Sequence, residues 1–594
     1  MTMLRTASLA IAAAFLMTSV SAQETPAEAP APAAPVDTLQ QIIDDHWAWT
    51  LEDSPLFATS LGVRDYDDRL GDASLAAYDR RIEKAAEFAA RLEALDAAAL
   101  SADERINHKL LLLDLKNDLA GAKFGGKYLI LSGRGAPHRT ITGLPDRLPF
   151  FTRADYKSYL ARLADAPRYL EEATETLRAG ISADWVQACE PLAGAEEAIR
   201  FHVVAKPEDS VLMKPFATRP SSVSERDWRR MRTEAEQTIK REIVPALKAF
   251  ADFTATEYVP ACRAAPGALN LPDGLAYYAH RAAVFTTTDK TPDEIHALGL
   301  SEVARIRAEM QKVIKDTGFE GDFKAFQEFL RTDPQFYAKT PKELMAANAL
   351  VAKKADGALT QLFTQLPRMP YTLKEVPADI AAGTTTAYYE PPAGDGSRPG
   401  VYRVNTSKLE TRPLFEIEAL TLHEAVPGHH FQIALTQESP LPNFRKYGFF
   451  TAFVEGWGLY AESLGLDAGF YQDPYSNFGR LSYEMWRACR LVVDTGIHAK
   501  GWSKQQAIDY MAENTALSLH NIEAEVNRYI AGPGQALAYK MGELKMQELR
   551  KRAAGELGPA FDLRRFNDAL LENGAVPLSV LEDNINAWIA EERG

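Results

Sequence analysis

Apolar residues recur at helical spacing along most of this chain. From Thr38 onward, Leu39, Ile42, Ile43, His46 and Trp47 fall on one face of a predicted helix. Helix starts are marked just as clearly. Ser101 with Glu104, Thr291-Pro292-Asp293-Glu294 and Thr340-Pro341-Lys342-Glu343 each set a hydroxyl three residues ahead of a carboxylate. The last two add a proline in the first turn, where its missing N–H costs nothing. Strand patterns are few. Lys127 to Ser132 predicts one strand. Thr384 to Tyr389 and Val401 to Asn405, joined by EPPAGDGSRPG, predict two short strands and a long turn. Such a pair either holds an extended peptide along its edge, with Tyr389 as a candidate substrate contact, or is a structural hairpin. No repeat period emerges, so a solenoid is not favoured. The pattern predicts a mainly α fold with two helical lobes and a small β element. The lobes span 37–265 and 266–594, with the junction near Pro266 to Gly274.

The first residues break this pattern. Arg5 precedes a short apolar run, Leu9 to Met17, and Ser19-Val-Ser-Ala22 fits a small-residue cleavage site after Ala22. Residues 1–22 are therefore expected to be a signal peptide, and the Ala/Pro-rich stretch 23–36 a linker. With no cysteine near that site, a lipoprotein-type anchor is not expected. No stretch reaches the roughly 18 apolar residues of a membrane span. A periplasmic or secreted protein is the expectation, with no stable membrane insertion.

Length and charge narrow the picture. At 594 residues the chain exceeds one small core, and its 46% hydrophobic and 25% charged residues are ordinary for a soluble protein. A net charge of −15 argues against nucleic acid as a partner, because phosphate would be repelled over most of the surface. Three cysteines occur: Cys189, Cys262 and Cys489. Cys189 and Cys262 either pair in an oxidising compartment or stay buried and free. Without a C-x-x-C pair, a thiolate metal site is not expected.

The histidines carry the chemistry. Three of the 11 in the chain fall in His423-Glu-Ala-Val-Pro-Gly-His429-His430. A His-Glu pair followed within a turn or two by another histidine is a metallopeptidase arrangement: two imidazoles on zinc, the glutamate as base. The usual spacing, H-E-x-x-H, is broken because position 427 is proline. An unbroken helix cannot repair it. His429 would lie roughly 240° round from His423, and His430 roughly 10 Å further along the axis. Two nitrogens on one zinc lie within about 3–4 Å of each other. A local bulge at Pro427-Gly428 would instead drop His429 into the ligand position. His430 is then the alternative ligand, or a neighbour that binds substrate.

A third ligand is expected from Phe453-Val-Glu455-Gly-Trp-Gly-Leu-Tyr-Ala-Glu462. The two carboxylates share a helix face but stand about 10 Å apart along it, so one binds the metal. Glu455 is favoured because flanking glycines let helices approach; Glu462 could support a ligand from behind. Further on, Arg490, Asp494 and His498 share a face at four-residue spacing. Asp494 could orient a zinc histidine and His498 could bind substrate or oxyanion; the other reading is a salt-bridged helix surface.

HEAVPGHH, FVEGWGLYAE, RLVVDTGIH and RYIAGPGQALAYKMGE together resemble the bacterial domain-of-unknown-function 885 family, from about residue 37 to the end. That family is similar to helical zinc peptidases of the gluzincin type, oligopeptidases and carboxypeptidases among them. The resemblance implies a two-lobed metallopeptidase-like architecture with one zinc on His423, His429 and Glu455. The related H-E-x-G-H form puts glycine before the second histidine, as Gly428-His429 does here. It also implies Tyr539 as the oxyanion donor, with His498 second. Arg528 could bind a peptide carboxylate through its planar fork, against the reading of plain packing.

The expected activity is hydrolysis of short peptides by zinc-activated water, with Glu424 as general base. Two rivals stand beside it: an inactive peptide- or metal-binding protein of the same fold, and a zinc hydrolase of non-peptide amides or esters. No G-x-S-x-G elbow supports a serine enzyme.

Overall fold

The computed structural model describes residues 37–132, 135–381 and 384–594. The expected signal peptide and linker, 1–36, lie outside the described residues. The fold is mainly α with one small sheet. The helices and strands that matter below are α1 (Leu39–Asp53), α2 (Leu75–Glu93), α3 (Ala102–Gly121), α4 (Arg153–Ser182), α5 (Glu225–Thr238), α6 (Val244–Phe253), α7 (Pro292–Asp316), α8 (Pro341–Leu362), β1 (Tyr371–Glu375), β2 (Ala387–Glu390), β3 (Gly400–Val404), α9 (Ile417–Glu424), α10 (His429–Glu438), α11 (Thr451–Asp467), α12 (Pro474–Lys500), α13 (Leu519–Ala531), α14 (Ala538–Leu557) and α15 (Leu578–Arg593).

Local signals set the helix starts. Ser101 and Glu104 form a reciprocal capping box, as do Thr291 and Glu294. At α8 only half of it forms. Thr340 accepts from Glu343 N–H, while the Glu343 carboxylate turns to the N–H of Lys339 at 2.8 Å. The strand expected over Lys127 to Ser132 is absent: Gly125–Tyr128 is a 3-10 turn. Gly125 explains it, since a Cβ there would lie 2.3 Å from the Trp185 ring. The chain enters the segment pressed against that indole and turns there as a 3-10 helix.

The sheet has the order β1-β3-β2, with β3 parallel to β1 and antiparallel to β2. The expected strand pair is thus present, and β1 is added to it. β2 is an edge strand.

Buried side chains gather into several clusters. One draws on α4, α5 and α6, between Leu70 and Tyr258. Another is built from α1, α2 and α3. The largest runs from Val303 to Ile589, with Leu110 and Ala188 added from outside. In it α7 lies along α12, and α11 along α14. Each fully buried Leu, Ile or Phe there contributes about 1.5–3 kcal/mol. The segment 266–274 packs onto α12: Ala268 N–H donates to His498 Nδ1 at 3.0 Å. Cys189 and Cys262 pair as a disulfide, with Cα atoms 5.0 Å apart, and Cys489 is buried and free. No helix among the described residues is long and apolar enough to cross a membrane.

Candidate metal centre

The sequence around Pro427 makes a break rather than a bulge. α9 stops at Glu424, the chain passes through a cis Val426–Pro427 peptide, and α10 starts afresh at His429. The turn's polar groups find partners: Trp457 Nε1 donates to Pro427 O at 2.8 Å, and His430 N–H to Ala425 O at 3.1 Å. Gly428 folds back on the end of α9 so closely that a Cβ would stand 1.9 Å from His423 O. Only glycine fits there. The expected bulge within one helix is therefore corrected to two helices, but His429 still arrives beside His423, with ring centroids 4.7 Å apart at 86°.

α11 completes the cluster. Gly458 leaves room for the His423 ring, where a Cβ would come within 2.6 Å. Gly456 meets Gly542 of α14, so α11 and α14 touch backbone to backbone. Glu455 Oε2 lies 3.7 Å from His423 Nε2 and 3.4 Å from His429 Nε2. One donor atom from each of His423, His429 and Glu455 falls within 4.8 Å of the others.

Glu462 stands behind. Its Oε1 accepts from His423 Nδ1–H at 2.8 Å and is held by Arg487 Nη2 at 3.1 Å. That bond fixes a proton on Nδ1 and leaves Nε2 facing Glu455. Burial disfavours the charged imidazole, but Glu455 and Glu462 outweigh it and raise the His423 pKa to about 9. Burial likewise opposes the Glu455 carboxylate, and His423 and His429 outweigh that, holding its pKa well below the usual range. The trio is thus a dry pocket that favours positive charge between its members. Two neutral-capable imidazoles and one carboxylate at these spacings fit a divalent ion of the zinc class. His429 Nδ1 is buried and has no hydrogen-bond partner among the described residues.

The cluster opens into a cavity of about 290 Å³. One wall carries Thr385 to Tyr389, on and just before the edge strand β2, with Glu424 beside His423 and His429. The lining also includes Tyr483, Arg487, Arg490, Arg528 and Tyr539. Tyr539 lies nearly parallel to the His423 ring, 6.3 Å between centroids at 16°. Burial, then Glu455, raises the Tyr539 pKa, so the phenol keeps its proton. Arg528 faces the cavity, but its Nε and Nη2 close on Glu525 Oε2 at 3.1 and 2.7 Å.

Three expected site residues lie elsewhere. His430 is buried against the sheet: its Nδ1 accepts from Tyr389 Oη at 2.8 Å and its Nε2–H donates to Met369 O at 2.9 Å. With both nitrogens spent, it is neither a ligand nor a substrate contact. Burial lowers its pKa to about 4. His498 is spent in the same way between Ala268 N–H and Tyr529 O, each at 3.0 Å, and lies outside the cavity. It donates to no oxyanion. Asp494 accepts from Tyr278 Oη at 2.7 Å and Gly534 N–H at 3.1 Å, and orients no metal histidine; Glu462 does that. Asp494 instead pins the glycine-rich loop ahead of α14, and so helps place Tyr539. Arg487 and Glu525 were missed by sequence reasoning. Their signal was present in part, as charged residues that fall among apolar ones on α12 and α13.

The fold is an α-helical scaffold around a His-His-Glu cluster, and comparison places it in a family. The chain belongs to the bacterial proteins of unknown function DUF885, whose model matches residues 55–585. It is similar to the crystal structure of the "putative lipoprotein" from Colwellia psychrerythraea, at 27% identity and TM-score 0.88, covering 94% of this chain and 100% of that one. A "putative lipoprotein of unknown function" from Shewanella oneidensis shares the fold at 18% identity and TM-score 0.67, covering 92% of this chain and 99% of that one. No curated protein matches the chain.

Proposed function

We propose that this protein is an exported zinc peptidase that hydrolyses short peptides, similar in its catalytic design to gluzincin peptidases. The observation that carries the reading is the convergence of His423, His429 and Glu455 next to Glu424 in one cavity. A metal-binding protein without catalysis has no need of an uncommitted carboxylate at that spot. Bound zinc supplies Lewis acidity and makes water a stronger nucleophile at neutral pH. The chain's own groups do the rest. Glu424 takes the proton of the attacking water and carries it to the leaving amine. The Tyr539 phenol donates to the oxygen that becomes negative. The edge strand β2 lies along the cavity and offers main-chain hydrogen bonds to an extended substrate. Arg487 holds Glu462, which holds His423, so the ligand ring cannot swing.

Export is supported by the expected signal segment at 1–22 and by the disulfide Cys189–Cys262, a bond suited to a periplasm. The test is elemental analysis joined to a peptide-library digest. We expect about one zinc per chain, lost in His423→Ala, His429→Ala and Glu455→Ala but kept in His430→Ala. Cleavage products should form with wild type and not with Glu424→Gln. No zinc after reconstitution, or equal cleavage by Glu424→Gln, removes the reading; cleavage of esters or non-peptide amides alone would redirect it.

A further inference from the structure

We propose that the cavity selects substrates by their free C-terminal carboxylate, and that Arg490 is the group that binds it. This deepens the peptidase reading and rests on it. From Phe478 to His498 nearly every residue of α12 is buried, yet it carries Arg487 at 4% and Arg490 at 3% exposure. A buried guanidinium is costly unless its donors are matched. Arg487 is matched in part by Glu462, inside the metal site's own support.

Arg490 is not fully matched. Its Nε donates to Tyr529 Oη at 2.9 Å and its Nη2 to Glu525 Oε2 at 3.1 Å. Its Nη1 is buried and meets no acceptor among the described residues. The group is also held flat, with its Cζ 4.5 Å from the Trp486 ring centroid and 4.2 Å from that of Tyr539. Arg490 is among the residues that line the cavity, and stacking between two rings keeps its guanidinium from swinging.

Charge points the same way. Arg490 and Arg528 share one carboxylate, Glu525, which leaves this wall with a positive excess. A divalent ion in the same cavity would be balanced by Glu424 and Glu455. A single negative charge on the substrate would therefore complete the balance on the arginine side. Arg528, the carboxylate anchor suggested by the sequence, instead braces Glu525 and reaches Gln535.

Distance fits a short reach. Arg490 stacks on Tyr539, and Tyr539 stacks on His423. The guanidinium is no further from the ligand histidine than those two spans laid end to end. With successive Cα atoms about 3.8 Å apart, that leaves room for one or two residues between the cleaved bond and the carboxylate. The cleavage would be that of a carboxypeptidase or dipeptidyl carboxypeptidase.

The test is binding, measured apart from turnover. Zinc-loaded Glu424→Gln protein is titrated calorimetrically with tetra-alanine and with its C-terminal amide. The acid should bind about 10- to 100-fold tighter, the range of a charge-assisted pair. Adding Arg490→Gln should bring the acid down to the amide's level and leave the amide unchanged, while Arg490→Lys should keep part of the preference. Equal binding of the two peptides, no binding of either, or a preference that survives Arg490→Gln overturns the proposal. The acid–amide comparison in the parent protein stands even if Arg490→Gln fails to fold. Wild type cleaving both peptides equally would sink the carboxylate anchor and spare the peptidase; preference without cleavage would do the reverse.

Discussion

On α11 two carboxylates stand seven residues apart; on α12 an arginine, an aspartate and a histidine follow one another at four-residue steps. Both sets share a helix face, and both look from the sequence like parts of one site. The first set is. Glu455 faces the Nε2 side of His423 and Glu462 its Nδ1 side, so one imidazole ring bridges the rise between them. The second set is divided. Arg490 reaches the cavity, while Asp494 and His498 hold Tyr278, Gly534, Ala268 and Tyr529 in place. Each four-residue step climbs about 6 Å. Without a bridging group, two steps along a face leave the site altogether.

The largest effect expected is on the α9–α11 side. Glu424→Gln should keep its zinc and lose about 10²- to 10⁴-fold in turnover, the usual worth of a general base. Simultaneous loss of metal in that variant would make Glu424 a ligand and break the assignment of roles. Glu462→Gln comes next. It removes the carboxylate behind His423, and such support is worth about 10- to 100-fold in metal affinity. Competition with a chelator would read this directly. An unchanged affinity would mean that His423 is held by packing alone and that α11 contributes one functional carboxylate, not two.

The α12 side should respond in stability rather than chemistry. His498→Ala leaves the Ala268 N–H and the Tyr529 carbonyl without partners in a dry interior, at about 1–3 kcal/mol each. Urea midpoints should fall while zinc content and turnover per folded molecule hold. A variant with an unmoved midpoint and lost turnover would return His498 to the site and erase the contrast between the helices.

These differences also explain what the sequence could and could not say. The mainly helical fold was legible because caps and apolar periods are local: the boxes at Ser101 and Thr291 stand where they were expected. The pairing of Thr384–Tyr389 with Val401–Asn405 was legible for the same reason. The cluster of His423, His429 and Glu455 was legible because two ligands flank one proline-glycine turn, and the third sits on a glycine-flanked helix. What failed was long-range. The fate of His430 is set by Met369 and Tyr389, 61 and 41 residues away, and no period in the sequence reports them. The Lys127–Ser132 stretch had strand composition, yet it starts within a 3-10 turn whose Gly125 is packed on the distant Trp185. Arg490 was visible only as a rung of a ladder, since its empty donor is a property of the packed interior.

The smallest effect expected is the pH dependence of the α12 pair, and it sharpens the comparison most. Burial lowers the His498 pKa to about 4 and raises that of Asp494 to about 7. For His498 the unfolded chain takes up protons below about pH 6.5 while the folded one does not, so its contribution to stability is lost as pH falls from there toward 4. For Asp494 the folded state holds the extra proton, so its contribution is lost as pH rises from about 4 toward 7. The two slopes oppose each other, each about 2 kcal/mol between pH 6.5 and 5. Substitution should uncover them one at a time. Relative to wild type, His498→Gln should gain stability on acidification over that window, and Asp494→Asn should lose it. Urea titrations at the two pH values measure the difference. Parallel shifts in both variants would mean that neither group titrates in the folded protein across this range, and that α12 is held by geometry alone.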